Sequence, residues 1–243
     1  MAKTSAEASP QLYARVGGLL YLIIIVAGIA GELFVRGSVI VSGDAAATAT
    51  NLVASSSLWR AGIAGDLVMH LCDVGVMLVF YVLLSPVSRN LALLAVLFNL
   101  IQTAVLVANK LNLLIPVFLL GDAPYLKAFS APQLQALSYV SLRMHDVGFG
   151  VGLIFFGAEC LVVGYLIFQS GYFPKLLGIL MQTAGACYLT NSFALILFPA
   201  LASRLFPFVL LPPFVAELSM ASWLLVKGVN TTKWAERARP VPL

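Results

Sequence analysis

Three ionisable side chains, Asp66, His70 and Asp73, lie within the stretch Ala64 to Pro86, which is otherwise almost wholly apolar to Leu84. Their spacing of i, i+4, i+7 puts all three on one face of a helix. The run is long enough to cross a bilayer, which takes about 20 residues. A charged side chain in mid-membrane costs roughly 2.5–3.5 kcal/mol on insertion scales. The face carrying these groups must therefore look into a helical bundle or a wet cavity. There it could bind an ion, relay protons or, as histidine beside carboxylates, ligate zinc, iron or manganese.

Other polar groups fall in apolar runs. Counting about 1.5 Å of rise per residue, Asp73, Glu159 and Glu217 reach a similar depth near the midplane, with Gln102 close by and His70 about a turn higher. Asp66, Asn109, Lys110 and Asn191 lie further out, and Arg143, His145 and Asp146 would stand near a mouth. These residues describe a polar interior, denser in its outer half, that opens away from the termini. The candidates for binding a solute or ion are Asp66, His70, Asp73, Gln102, Glu159 and Glu217. Those for the mouth are Asn109, Lys110, Arg143, His145, Asp146 and Asn191. Several have plainer readings. Asp66 with Lys110 can be an interhelical ion pair, and His70 with Asp73 a hydrogen-bonded pair on one helix. A single metal held by both histidines is disfavoured, because His145 stands about 20 Å above Glu159 along its helix. No nucleophile elbow or phosphate loop occurs, and whether a metal or other cofactor is bound stays open. Glycines 148, 150 and 152 read as packing positions or a bend.

The elements that hold these groups follow from composition. Of 243 residues, 61% are hydrophobic and 10% charged, with mean hydropathy +0.99. Soluble domains carry about 25% charged residues, so the composition is that of a multi-pass membrane protein whose first partner is the lipid bilayer. The net charge of +4 fits a basic bias of the cytoplasmic loops, and no basic, aromatic-interleaved run points to nucleic acid. Cys72, Cys160 and Cys187 sit in apolar runs and read as buried free thiols.

The expected fold is all-α: a bundle of about six transmembrane helices, with a short interfacial helix in the first external loop. Residues 1–15 form a polar tail and 16–34 the first span, too long for a signal-peptide core of about 7–15 residues. Glu32 and Arg36 can pair at its far end. Asp44 is a natural N-cap for a short helix over 45–53. The second span is 58–84, ended by Pro86. The third is 91–113, kinked or tilted before Pro116. Pro132 opens a long helix, 133–169, whose second part spans. The fifth span, 176–198, stops at Pro199; the sixth follows Pro207 and ends near Lys227. A polar, basic tail occupies 229–243, so 16–228 form one transmembrane domain. Lys3, Arg15, Arg89, Lys175, Lys227, Lys233, Arg237 and Arg239 fall on the side of the termini. Arg36, Arg60, Lys127, Arg143 and Arg204 fall on the other. Eight against five places both termini in the cytoplasm, the membrane being the cell inner membrane.

Several segments carry a family likeness: Ala14-Arg15-Val16-Gly17-Gly18-Leu19-Leu20-Tyr21, Gly43-Asp44-Ala45-Ala46-Ala47-Thr48-Ala49, Asp66 to Asp73, Leu153-Ile154-Phe155-Phe156-Gly157 through Gly164-Tyr165-Leu166, and Glu217 to Lys227. On these, residues 14–228 resemble DUF4386, a mostly bacterial family of small multi-pass membrane proteins with a domain of unknown function. The resemblance implies no activity, cofactor or site residue. Three functions stay open: a protein that binds or moves a small solute, ion or proton through its polar interior; a metal-assisted intramembrane hydrolase acting on lipid through Asp66, His70, Asp73 and His145; and an accessory subunit, its protein partners unspecified, whose polar groups fix helix packing.

Overall fold

The computed structural model describes residues 9–239; the outermost parts of both expected tails, including Lys3, lie outside them. The described residues are helical nearly throughout. Helix α1 (Pro10–Ala30) starts on a Ser9 cap that accepts from the Leu12 amide, with Pro10 in the first turn. It runs through a π-helical turn, Gly31–Arg36, into the short α2 (Gly37–Val39). Next come α3 (Ala45–Ala54), α4 (Ser56–Leu84), α5 (Arg89–Asn109), α6 (Leu111–Leu119) and α7 (Ala131–Ser170). The chain closes with α8 (Lys175–Leu197), α9 (Pro199–Leu205), α10 (Leu211–Val226) and α11 (Thr231–Ala238).

Six stretches are long and apolar enough to span: Pro10–Val39, Ser56–Leu84, Arg89–Leu119, Ala131–Ser170, Lys175–Leu197 and Phe208–Val226. The chain is thus an all-helical multi-pass membrane protein, with the short α3 between the first two spans. Its six membrane helices form a ring in chain order. Helix α1 packs on α4, α4 on α5, α5 on α7, α7 on α8, α8 on α10, and α10 closes back on α1. Side chains such as Val26, Leu71, Leu97, Ile179 and Val215 lie exposed on the outside, where acyl chains would cover them.

Small residues set the closest approaches. A Cβ on Gly164 would meet the Gly178 carbonyl oxygen at 2.7 Å, and one on Gly157 the Gly185 carbonyl at 3.0 Å. Helices α7 and α8 therefore touch backbone to backbone, as glycine permits in membrane bundles. Gly148 and Gly152 seat against Asn109 and Leu106 of α5, and Gly150 against Leu195 of α8. They act as packing positions within one unbroken α7.

Element boundaries differ from expectation in three places. Residues 10–15 are helical, because Ser9 and Pro10 together start α1 ahead of the apolar run. The third span has its break at Lys110, between α5 and α6, ahead of Pro116 as expected, but runs on to Leu119 rather than ending at 113. The basic tail includes α11, capped by Asn230. This helix is tied to the bundle: Trp234 Nε1 donates to the Leu83 carbonyl at 3.1 Å, and the Tyr172 hydroxyl donates to the same oxygen at 2.6 Å. Burial pushes the Tyr172 phenol above its ordinary pKa, so it stays a donor. Gln11 bridges the two ends of the chain, donating to the Lys227 carbonyl and accepting from the Val229 amide. As expected, Asp44 caps α3 by accepting from the Ala47 amide at 2.9 Å. Of the three free thiols Cys160 is buried; Cys72 and Cys187 are only partly so.

Candidate functional site

The i, i+4, i+7 stripe of α4 turns inward. Asp66 and His70 are buried while Leu67, Leu71 and Val74 face outward. Along that stripe the polar groups divide between two centres.

The outer centre is a charge cluster. Asp66 Oδ2 accepts from Lys110 Nζ at 2.8 Å and from Arg36 Nη1 at 2.9 Å. Arg36 Nε donates in turn to Glu32 Oε2 at 2.7 Å. Two acids meet two bases, and the cluster is neutral. The sequence pairings Glu32–Arg36 and Asp66–Lys110 are both present; the link from Arg36 to Asp66 comes in addition. It depends on the π-helical turn, which redirects Arg36, and on Gly31, whose Cβ would lie 3.0 Å from Asp66 Oδ1. The break at Lys110 carries its amine to the same carboxylate. Beneath α3, Trp59, Leu113, Val35 and Leu142 pack as a separate apolar cluster, with Trp59 Nε1 donating to the Leu113 carbonyl.

The inner centre is a cavity of about 300 Å³ inside the ring. All six spans contribute a polar side chain to its lining: Tyr21 from α1, His70 and Asp73 from α4, Gln102 from α5, Glu159 from α7, Tyr188 from α8 and Glu217 from α10. Among the described residues no lysine or arginine lines it. Each acid has a neutral partner. Asp73 accepts from Thr103 Oγ1 at 3.0 Å, Glu159 from Asn99 Nδ2 at 3.2 Å, and Glu217 from the Tyr188 hydroxyl in a short contact. His70 Nε2 is buried and has no hydrogen-bond partner among the described residues. The rest of the wall is apolar, including Ile29, Phe149, Leu153, Phe156, Leu210 and Phe214.

Five of the six binding candidates, His70, Asp73, Gln102, Glu159 and Glu217, therefore share one cavity. Asp66 does not; it belongs to the charge cluster. The mouth candidates fall elsewhere, since none of Asn109, Lys110, Arg143, His145, Asp146 and Asn191 lines the cavity. Asn109 Nδ2 donates to the His145 carbonyl, and Asn112 donates to Asn109 Oδ1. Arg143 and Asp146 form an exposed pair at 3.0 Å. The outer part of the wall is apolar where a polar mouth was expected, because Phe149 and Leu153 of α7, one and two turns below His145, take the inward positions. The expected His70–Asp73 pair is not made, as Asp73 turns to Thr103 on α5. Among the described residues no three His, Cys, Asp or Glu side chains are grouped to hold a metal. Tyr21, Tyr188, Asn99 and Thr103 are additions that the sequence flagged only faintly: a tyrosine in the middle of an apolar span needs a partner for its hydroxyl.

Six spanning helices closed into a ring around partly polar groups define a multi-pass helical membrane protein. The chain belongs to the family described as a domain of unknown function, DUF4386, whose model matches residues 16–228. It is similar to an uncharacterised protein of Archaeoglobus fulgidus, 29% identical over 166 residues, which cover 68% of this chain and 83% of that relative. That relative is archaeal, whereas the resemblance implied a mostly bacterial family. No solved structure matches the chain.

Proposed function

We propose that this protein binds, and passes between the two sides of the membrane, a small cation or proton, with Asp73, Glu159 and Glu217 as the binding groups and His70 and Gln102 as neutral partners. One observation carries the reading: three acids from three helices face a common cavity that none of the described lysines and arginines lines. Carboxylate charge buried without a counter-charge is costly. It must be met by a proton or by a cation from outside the chain.

The cavity's exposed wall residues, Ile29, Phe149 and Phe214, lie toward the end of the ring opposite the termini, which supports an opening on that side. The basic excess on the side of the termini supports cytoplasmic ends in the cell inner membrane. In this reading residues 16–228 act as one transmembrane unit, with short tails on either side.

The test is exchange in proteoliposomes. A cation gradient is imposed across vesicles of purified protein loaded with a pH-sensitive dye. Wild type should move protons against cations faster than empty vesicles. Glu217→Gln and Asp73→Asn should fall to the empty-vesicle rate, and Asp122→Asn in the exposed loop should match wild type. Wild-type vesicles no faster than empty ones, or cavity variants as active as wild type, would refute the reading.

A further inference from the structure

We infer that the cavity takes a lipophilic organic cation, an amine or quaternary ammonium bearing an apolar group, in preference to a bare metal ion. This rests on the reading that its carboxylates meet a charge from outside the chain, and names the class of that charge.

Four features of the cavity converge on this ligand. The first is the spread of the acids. They come from α4, α7 and α10, and among the described residues no three potential ligands are close enough together to hold a metal ion. A calcium ion needs 6–8 oxygens at about 2.3–2.6 Å; acids spaced around a 300 Å³ void suit a larger, diffuse cation. The second is spare capacity. Asp73, Glu159 and Glu217 meet only neutral donors, Thr103, Asn99 and Tyr188 at hydrogen-bond distance with Gln102 beside Asp73 and Tyr21 beside Glu217, and about four acceptor positions per carboxylate exceed what these supply. His70 lines the same void with 3% of its surface exposed and an unpartnered Nε2. A buried polar atom left unsatisfied costs about 1–3 kcal/mol, which the N–H of an amine ligand would remove and a quaternary head would not.

The third feature is the aromatic wall. Tyr21 meets Phe80 edge to face with ring centres 6.4 Å apart, and Phe156 packs on Tyr188 at 5.2 Å. All four line the cavity. Ring faces attract weakly hydrated cations, and quaternary ammonium groups are commonly held by such rings. A strongly hydrated metal ion would gain little from them. The fourth is the rim, where the exposed lining residues Ile29, Phe149 and Phe214 are all apolar. An apolar substituent passes such a rim and then packs there, with the charged head beside the acids below.

Wild-type protein in nanodiscs is titrated calorimetrically with benzyltrimethylammonium and with its uncharged isostere neopentylbenzene, each corrected for uptake by empty nanodiscs. The cation should bind saturably, one molecule per chain, and roughly tenfold or more tighter than the isostere, a difference of about 1.4 kcal/mol or more. Glu159→Gln and Glu217→Gln should each weaken it by about the same factor. Ile29→Trp, which leaves every acid in place, should slow or abolish its binding. Equal binding of the isostere, or no binding of the cation, overturns the inference on wild-type protein alone, whatever the variants do. Unchanged affinity in both carboxylate variants overturns it too. If inorganic cations still exchange for protons in vesicles while benzyltrimethylammonium does not bind, the ligand class is wrong and the wider reading stands. If neither occurs, both fail.

Discussion

Two acidic centres less than three helical turns apart on α4 treat carboxylates in opposite ways. At Asp66 the chain supplies the counter-charge itself, from Lys110 and Arg36, and Glu32 balances the second base. At Asp73, with Glu159 and Glu217, it supplies only a hydroxyl, an amide and a phenol. The first centre ties α1, α4 and the α5–α6 break together and has nothing left to exchange. The second surrounds a void and, on the proposed reading, its acids take their proton or cation from outside the chain. The two centres thus differ in whether the chain itself provides the counter-charge: at Asp66 it does, and at Asp73, Glu159 and Glu217 the described residues offer neutral donors.

Breaking the outer centre should have the largest effect. Asp66→Asn leaves Lys110 and Arg36 buried beside each other without their shared acid, and removing one member of a buried pair costs about 3–5 kcal/mol. The melting temperature in detergent should drop sharply, and Lys110→Met in the same chain should restore part of the loss. Next comes the glycine seam between α7 and α8. Gly164→Ala pushes a methyl group against the Gly178 carbonyl and should cost about 1–3 kcal/mol by the same assay. Glu159→Gln and Glu217→Gln sharpen the contrast, because they remove acids the chain never paired. They should melt within about 1 kcal/mol of wild type or above it, while losing cation exchange. The smallest effect belongs to Arg143→Ala, which breaks an exposed pair with Asp146 whose side chains are 68% and 54% accessible. It should shift stability by about 0.2–1 kcal/mol at most. A larger loss for Glu159→Gln than for Asp66→Asn would reverse the comparison.

Much of this was legible in the sequence, and the parts that were not have identifiable causes. Hydropathy and helix punctuation marked all six spans, the Asp44 cap and the inward stripe of α4, because each depends on local chain properties. Helical rise brought Asp73, Gln102, Glu159 and Glu217 to one level, where they line one cavity. Rise gives depth but not rotation, so it could not show that Asn109 turns to the backbone carbonyl of His145 while Phe149 and Leu153 face the void. The link from Arg36 to Asp66 was hidden for a similar reason. A π-helical turn at Gly31–Arg36 shifts the register of everything after it, and composition does not announce such a turn. Helix α11 was missed because its hold on the bundle is tertiary, through Trp234 and the Leu83 carbonyl.

The contrast between the centres is most directly tested by infrared spectroscopy of purified protein, with carboxyl bands assigned through Asp66→Asn, Asp73→Asn, Glu159→Gln and Glu217→Gln. On adding an organic cation, the equivalent of one protonated carboxyl among the bands lost in the three cavity variants should move to the carboxylate region, one proton leaving for each cation bound, while the band lost in Asp66→Asn stays in the carboxylate region throughout. Cavity bands that ignore the cation, or an Asp66 band that responds to it, would contradict the account.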